Sequence, residues 1–480
     1  MSEKIDLATL SELEAVSSQD VILGYSKSGK KFGFVPVSFV TNDGYACRRW
    51  DMTKSSPVGE AVGNIDYLRE LPSLLGLGCY LVDKNHGRRK LDPTNHYKFA
   101  TGEAAALDGS MGDYMWGWAT KWYYAWWTEG NYYYEAASLK PIPGRMNYCI
   151  PVASTSALGV SVVDRENLEL VSVVSNAAKY RGGNNDATKD GAYNTLLARA
   201  ATSLDAATFG SYARKKGDGW EAYWYAHSAV IGILFRLIFG TRNVQAAYNA
   251  NKDSNGLYQG GFGSGVTNIN DTAWNEQFGH YPFLPTTVGI ELADRCGLSV
   301  WPVEAGDGST FATVNVPVFF GLKNFYGYLG RLGRGELINK TEGGGGDIYV
   351  VPRLHTSYSM NSLTGLQKVA SIPAAAEAKV WESIQQISMQ NLCHAPTVSG
   401  TPATTSTYYC DSFYNDNAVS GLRVPSRGGH GNYGALAGLE YFIASVGVCL
   451  CALWFAPLRS RRRLGHNAFL GGRLITEGAE

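Results

Sequence analysis

Tyr441-Phe-Ile-Ala-Ser-Val-Gly-Val-Cys-Leu-Cys-Ala-Leu-Trp-Phe-Ala-Pro457 carries no charge and is followed by Arg459, Arg461, Arg462 and Arg463. Such a run fits either a short membrane span with a positive stop or a buried strand. A spanning helix needs about 20 apolar residues. The seventeen here reach only the lower limit, and Gly447 and Pro457 both interrupt a helix. The choice between the two decides whether the chain is anchored in a bilayer or folds around this segment.

Working outward, the run is flanked by Gly421-Leu-Arg-Val-Pro-Ser-Arg-Gly-Gly-His430 and by Asn467-Ala-Phe-Leu-Gly-Gly-Arg-Leu474, with Gly434-Ala-Leu-Ala-Gly438 between. Further upstream, Trp220 to Phe239 follows Gly217-Asp-Gly219 and ends at Gly240. Trp224, Ser228, Ile231, Phe235 and Ile238 share one helical stripe, and Tyr223, Val230, Leu234 and Leu237 a second. A helix apolar nearly all round is predicted, buried at the centre of the fold. Between Tyr114 and Tyr134, Trp116, Trp118, Trp122, Tyr124 and Trp126 alternate, as in strands with an aromatic face. Cys79-Tyr-Leu-Val reads as another strand, and Pro141-Ile-Pro-Gly144 as a turn that marks a boundary. Leu7, Leu10 and Leu13 space as a short helix, followed by β-like text at Val21-Ile-Leu and from Phe32.

Length and composition bound the rest. The 480 residues equal about three average domains, and 45% hydrophobic against 18% charged residues is ample for a core. The expected class is α+β with long irregular loops. Its expected parts are an attachment or assembly arm over 1–45, a mainly β, aromatic-rich region over 46–140, and a ligand-binding domain over 141–480. The 42 Lys plus Arg balance 42 Asp plus Glu, so no net field favours nucleic acid. The 56 Gly, 12 Trp, 29 Tyr and 18 Phe favour a loop-rich protein that displays aromatic side chains to partners. Residues 1–20 hold charges and no apolar core, so a secretory signal is not expected and synthesis in the cytoplasm is.

Chemical motifs are weak. Gly24-Tyr-Ser-Lys-Ser-Gly29-Lys30 approaches a phosphate loop, but Lys31 stands where Ser or Thr must reach the metal, and β-like text follows instead of a helix. Cysteines 47, 79, 149, 296, 393, 410, 449 and 451 form no CxxC pair and read as free thiols. Cys393-His394 are neighbours in sequence without a third catalytic member. Asp411 and Asp416 are a candidate calcium pair, equally at home in turns; no other metal or cofactor, and no catalytic residue, is expected.

The two flanks resemble the C-terminal end of the C-type-lectin-like domain shared by formylglycine-generating-enzyme relatives, phage tail fibre proteins and the variable proteins of diversity-generating retroelements. Phe209-Gly-Ser-Tyr-Ala-Arg214, Phe239-Gly-Thr-Arg-Asn-Val-Gln245, Gly321-Leu-Lys-Asn-Phe-Tyr-Gly-Tyr-Leu-Gly-Arg-Leu332 and Asp108-Gly-Ser-Met-Gly-Asp-Tyr-Met115 resemble other family passages in the same order. The resemblance covers about 108–474. It implies a variable region over about 428–474, in which adenine-directed mutagenesis converts Asn and Ser codons into many others. Ile443 to Ala452 is what Asn-Ala-Asn-Asn-Gly-Val-Ser-Asn-Ser-Asn becomes by adenine changes alone, whereas Glu440 and Trp454 cannot derive from an Asn codon and are expected to be fixed.

On this resemblance the ligand-binding face comprises His430, Gly431, Asn432, Tyr433, Leu436, Ile443, Ser445, Val446, Cys449, Leu450, Cys451, Ala452 and Leu453. Ile443, Val446, Leu450 and Leu453 with Tyr433 would form its exposed apolar surface, on a frame that includes Gly428-Gly429 and Gly471-Gly-Arg-Leu474. The implied protein is a phage or prophage receptor-binding tail protein, carried on the virion. Its implied partners are a host-surface protein or glycan receptor, other tail proteins and its own copies in a homotrimer, with no nucleic acid and no membrane insertion. A cell-surface protein diversified in the same way, a formylglycine-generating-enzyme-like oxidase, and a protein anchored through 441–457 are the alternatives.

Overall fold

Aromatic residues alternate from Asp113 to Ser138, and in the computed structural model this stretch forms three strands, Asp113–Trp118, Trp122–Glu129 and Tyr132–Ser138. The structure describes residues 21–26, 31–36, 44–175, 177–180, 204–266, 270–278, 284–305, 307–352, 358–375, 377–447, 470–471 and 474–477. Trp122 and Tyr124 turn inward and are fully buried, while Tyr123 and Trp127 lie half-buried on the other face, the period-two pattern of a strand. Trp122–Glu129 and Tyr132–Ser138 are neighbours in a five-stranded sheet with Tyr148–Ile150, Ala46–Asp51 and Glu60–Gly63. Asp113–Trp118 instead lies in a seven-stranded sheet, between Gly78–Val82 and Ala153–Ser156. The fold is strand-rich and mixed, as an α+β class requires.

Four α-helices are present among the described residues: α1 (Ile65–Leu75), α2 (Ala206–Arg214), α3 (Tyr225–Phe239) and α4 (Asp271–Phe278). All residues of α3 except Ala226 are buried, as its apolar circumference predicts. The helix ends at Gly240, whose φ of 67° permits the left-handed cap and whose N–H donates to the Arg236 carbonyl at 3.0 Å. Its start differs from the sequence expectation. Trp220–Ala222 is a strand paired antiparallel with Leu474–Glu477, and Trp224 is extended at φ −87° and ψ 137°. Tertiary pairing with the C-terminal strand has overridden the helical periodicity of those first residues.

The expected division of the chain is also revised. Pro141–Gly144 connects Tyr132–Ser138 to Tyr148–Ile150, which belong to one sheet. The largest core cluster runs from Ala46 to Leu439, so 46–140 and 141–480 share sheets and core. The C-terminal strand Leu474–Glu477 pairs with Ala153–Ser156, closing the chain onto its first half. In the expected arm, Val21–Ser26 and Lys31–Pro36 form an antiparallel hairpin. A phosphate loop requires a strand followed by a helix, and the second arm of this hairpin stands where that helix would begin. The short helical spacing at Leu7 to Leu13 lies outside the described residues.

A ten-stranded sheet carries the C-terminal third. Its main path runs Gln367–Ile372, Gly346–Val350, Glu336–Lys340, Gly421–Arg427, Phe442–Gly447, Ser412–Asn415, Val380–Ser388 and Ala395–Gly400, with Gly330–Leu332 and Leu470–Gly471 paired off it.

Candidate functional site

The opening segment of the apolar run is an interior strand. Phe442–Gly447 pairs antiparallel with Gly421–Arg427 and parallel with Ser412–Asn415. Both of its faces are covered. Ile443 and Val446 pack in one cluster with Leu337, Tyr414 and Val424, and Phe442 and Ala444 in another with Ile348, Ile384 and Phe413. A strand buried on both faces reads as a continuous apolar run. The expected exposure of Ile443 and Val446 is therefore corrected: they are 5% and 6% exposed and serve as core. Ser445 is half-buried. Cys449, Leu450, Cys451, Ala452 and Leu453, and most of the possible membrane segment, lie outside the described residues.

Upstream, the 3₁₀ segment Gly431–Leu436 follows Gly428-Gly429, whose φ values of 81° and 68° suit only glycine comfortably. His430 and Gly431 are buried, whereas Tyr433 and Leu436 are half-buried; Asn432 shares this segment, and its side chain lies outside the description. Burial lowers the His430 pKa to about 3, so the ring is neutral. It meets the Tyr433 ring at 3.7 Å between centroids. Tyr433 also meets Trp381 at 5.2 Å and Tyr441 at 5.3 Å, and Trp381 meets Tyr414 at 4.8 Å. This aromatic cluster makes Trp381 and Tyr433 its half-buried outer members. Sequence reasoning missed Trp381, because it lies on a strand about fifty residues from the flanks and only the sheet order brings it there.

Behind this face lies a buried charge network. The Arg236 guanidinium donates to both oxygens of Glu135 at 2.7 Å and also to Glu440. Burial raises the Glu440 carboxyl, but His394 and Arg236 outweigh it and hold it down to about 2. Burial and the Arg427 charge lower the His394 pKa, leaving a neutral ring. The Ser228 hydroxyl lies 3.1 Å from His394 Nε2 and accepts from the Tyr223 hydroxyl at 2.5 Å. Ser228, His394 and Glu440 thus stand in the order of an acyl-transfer triad. All three are buried and Ser228 is spanned on both sides, so the chain of bonds ties α3 to the ten-stranded sheet. Gly232 makes room for it: a Cβ there would stand 2.7 Å from Glu440 Oε1. A second ion pair, Arg427 to Glu336 at 2.8 and 2.5 Å, is fully buried.

The candidate calcium pair does not converge. Asp411 and Asp416 flank the strand Ser412–Asn415, and five steps of about 3.3 Å set them roughly 16 Å apart. Beside them, Lys340, whose pKa burial lowers to about 8, donates to the Asn415 side chain and to the Asp416 backbone carbonyl. A different set does converge. Cys79, His96 and Asp294 offer donor atoms within 4.8 Å of one another, a combination of zinc-type ligands. Asp294 Oδ1 already accepts from the Cys79 backbone N–H at 2.8 Å and meets His96 Nε2 at 2.9 Å. Lys90 lies 3.1 Å from Oδ2, and Lys323 donates to Tyr114, the other partner of His96. Lys90 is thus the cation paired with Asp294 among the described residues, while burial lowers the Lys323 pKa to about 8.

The six described cysteines are free. Burial raises the thiol pKa of Cys47, Cys79, Cys296, Cys393 and Cys410, keeping them protonated. Cys393 and His394 use their side chains on different partners, Glu336 and Glu440. No helix among the described residues is long and apolar enough to cross a membrane. Compared with protein-family models and with curated proteins, the chain matches none.

Proposed function

We propose that the protein is a receptor-binding protein of a phage or prophage tail, with a C-type-lectin-like C-terminal region that displays a diversified face and performs no chemistry. One observation carries this reading: the sequence from 448 to 469 is anchored at both ends by paired strands. Phe442–Gly447 is held inside the ten-stranded sheet, Leu470–Gly471 pairs with Gly330–Leu332, and Leu474–Glu477 joins the seven-stranded sheet. A diversified binding face demands a frame that holds while its side chains change, and paired strands on either side in sequence support that demand. Burial of His430, Gly431, Ile443, Val446 and the Ser445 hydroxyl narrows the face to Asn432, Tyr433, Leu436 and the run Cys449 to Leu453, with Trp381 beside Tyr433 as a fixed aromatic anchor. The partner is a host-surface protein or glycan, the arm over 1–45 serves attachment to other tail proteins or trimer assembly, and the place of action is the virion.

Deep sequencing of the last part of the gene, with its flanking DNA, across descendants of one lineage tests this. Substitutions at template adenines in codons 449–452, with 443 and 446 restricted to apolar residues, are the expected result. An invariant run without a neighbouring repeat would overturn the diversified face and leave a binder of fixed specificity.

A further inference from the structure

Between the start of α3 and the strand Tyr148–Ile150 lies a cleft of about 820 Å³, within the range of small-ligand sites. Trp118, Tyr148, Trp224 and Tyr225 contribute aromatic walls, and His227, Gln367 and Asn391 contribute polar groups. None of the described residues lining it is Asp, Glu, Lys or Arg. Among these described residues an anion or cation finds no counter-charge, whereas a neutral, polyhydroxylated ring has an apolar C–H face for the half-buried Tyr148 ring and hydroxyls for the amides.

The amides are pre-arranged. Asn391 Nδ2 donates to Gln367 Oε1 at 3.0 Å, which leaves the Gln367 NH₂ as a donor and the Asn391 carbonyl oxygen as an acceptor, side by side. Asn391 is held at φ 52° and ψ 34°, a left-handed conformation that Asn tolerates better than most residues. Trp118, Trp224 and Tyr225 are fixed by burial, and the Tyr225 hydroxyl donates to the Val351 carbonyl at 3.0 Å. Rigid walls and an oriented donor–acceptor pair reduce the ordering cost of binding.

We propose that this cleft is a binding site for a neutral saccharide. It is distinct from the described part of the C-terminal face, since none of the described residues of 428–474 lines it, and its specificity is fixed where that face would vary.

The test titrates the full-length chain with maltotriose, cellotriose and chitotriose, followed by saturation-transfer NMR and tryptophan fluorescence. At least one trisaccharide is expected to bind. Gln367→Ala, an exposed position, is expected to weaken it about tenfold with an unchanged melting temperature, the loss of one good hydrogen bond. Tyr148→Ala is expected to abolish binding. Maleimide modification of Cys149, exposed on the lining, is expected to block it, while the modified Cys149→Ser variant binds normally. Absence of binding by all three sugars at tens of millimolar overturns the proposal, as does binding unaffected by Gln367→Ala and by Cys149 modification. Binding lost in Tyr433→Ala but kept in Gln367→Ala assigns the sugar to the C-terminal face and also overturns it. Cleft binding together with an invariant run at 448–469 upholds this site and removes the diversified face instead.

Discussion

The two most apolar stretches of the chain, Tyr225–Phe239 and Tyr441–Val446, meet opposite fates: one is a helix buried all round, the other a strand buried on both faces. Composition does not separate them. The helix is bounded by an extended Trp224 and a left-handed Gly240, and its length allows its own backbone to satisfy its polar groups. The strand cannot do so; it obtains its hydrogen bonds from Gly421–Arg427 and Ser412–Asn415. What the two have in common is a buried ion. Arg236 lies on the helix, Glu440 immediately before the strand, and their contact with each other and with Glu135 joins the helix to two sheets.

That joint offers the strongest way to break the comparison. Arg236→Ala strands two carboxylates in the core, and the expected loss is about 3–5 kcal/mol, the range for breaking a buried pair from one side. Urea denaturation of the variant reads it directly. Replacing all three members, by Arg236→Met, Glu135→Gln and Glu440→Gln, removes the charges together and is expected to recover most of that loss. A stability change under about 1 kcal/mol in Arg236→Ala would show that helix and strand are held by packing alone.

Ile443 sharpens the comparison on the strand side. Ile443→Ala deletes a buried side chain from the cluster with Leu337 and Val424, at an expected cost of about 2–4 kcal/mol. Tyr433→Ala, at a half-buried site, is expected to cost less, about 1 kcal/mol, and to act on binding instead. Chemical denaturation of both variants, with a host-cell binding assay, separates core from face. Equal stability losses would place Tyr433 in the core as well.

The legible parts of the fold were local. The all-round apolar helix and the aromatic strands each follow from spacing. The opening of the apolar run, 441–446, was legible as apolar but its choice between span and strand was not, because burial of a strand depends on neighbours set by sheet order. Pairing of Leu474–Glu477 with residues 153–155 and 220–222 joins segments more than 250 residues apart, and no periodicity announces it. For the same reason Pro141–Gly144 read as a boundary, when it is a connection within one sheet. Trp381, Gln367 and Asn391 carry no motif; strand register places Trp381 beside Tyr433, and the side-chain bond between Asn391 and Gln367 assembles the amide pair.

A last effect, of the opposite sign, concerns the residue that seats the strand. Asp411 Oδ2 accepts the Glu440 backbone N–H at 2.7 Å, while its Oδ1 is buried without a hydrogen-bond partner and faces Gly438. Burial, reinforced by the Glu440 charge, raises the Asp411 pKa well above the ordinary carboxylate value. The folded state therefore keeps a proton that the unfolded chain releases above pH ~4. Below that pH both states are protonated and the group is neutral in its effect; as pH rises, the folded state is progressively disfavoured until the folded pKa is passed. Asn at this position retains the acceptor for Glu440 N–H and has no proton to lose. Asp411→Asn is accordingly expected to be more stabilising, or less destabilising, at neutral pH than near pH 3, because the proton linkage is removed. Melting curves across pH 3–8 for both proteins check this. A gain independent of pH would mean that the amide improves packing and that the carboxyl is not held protonated.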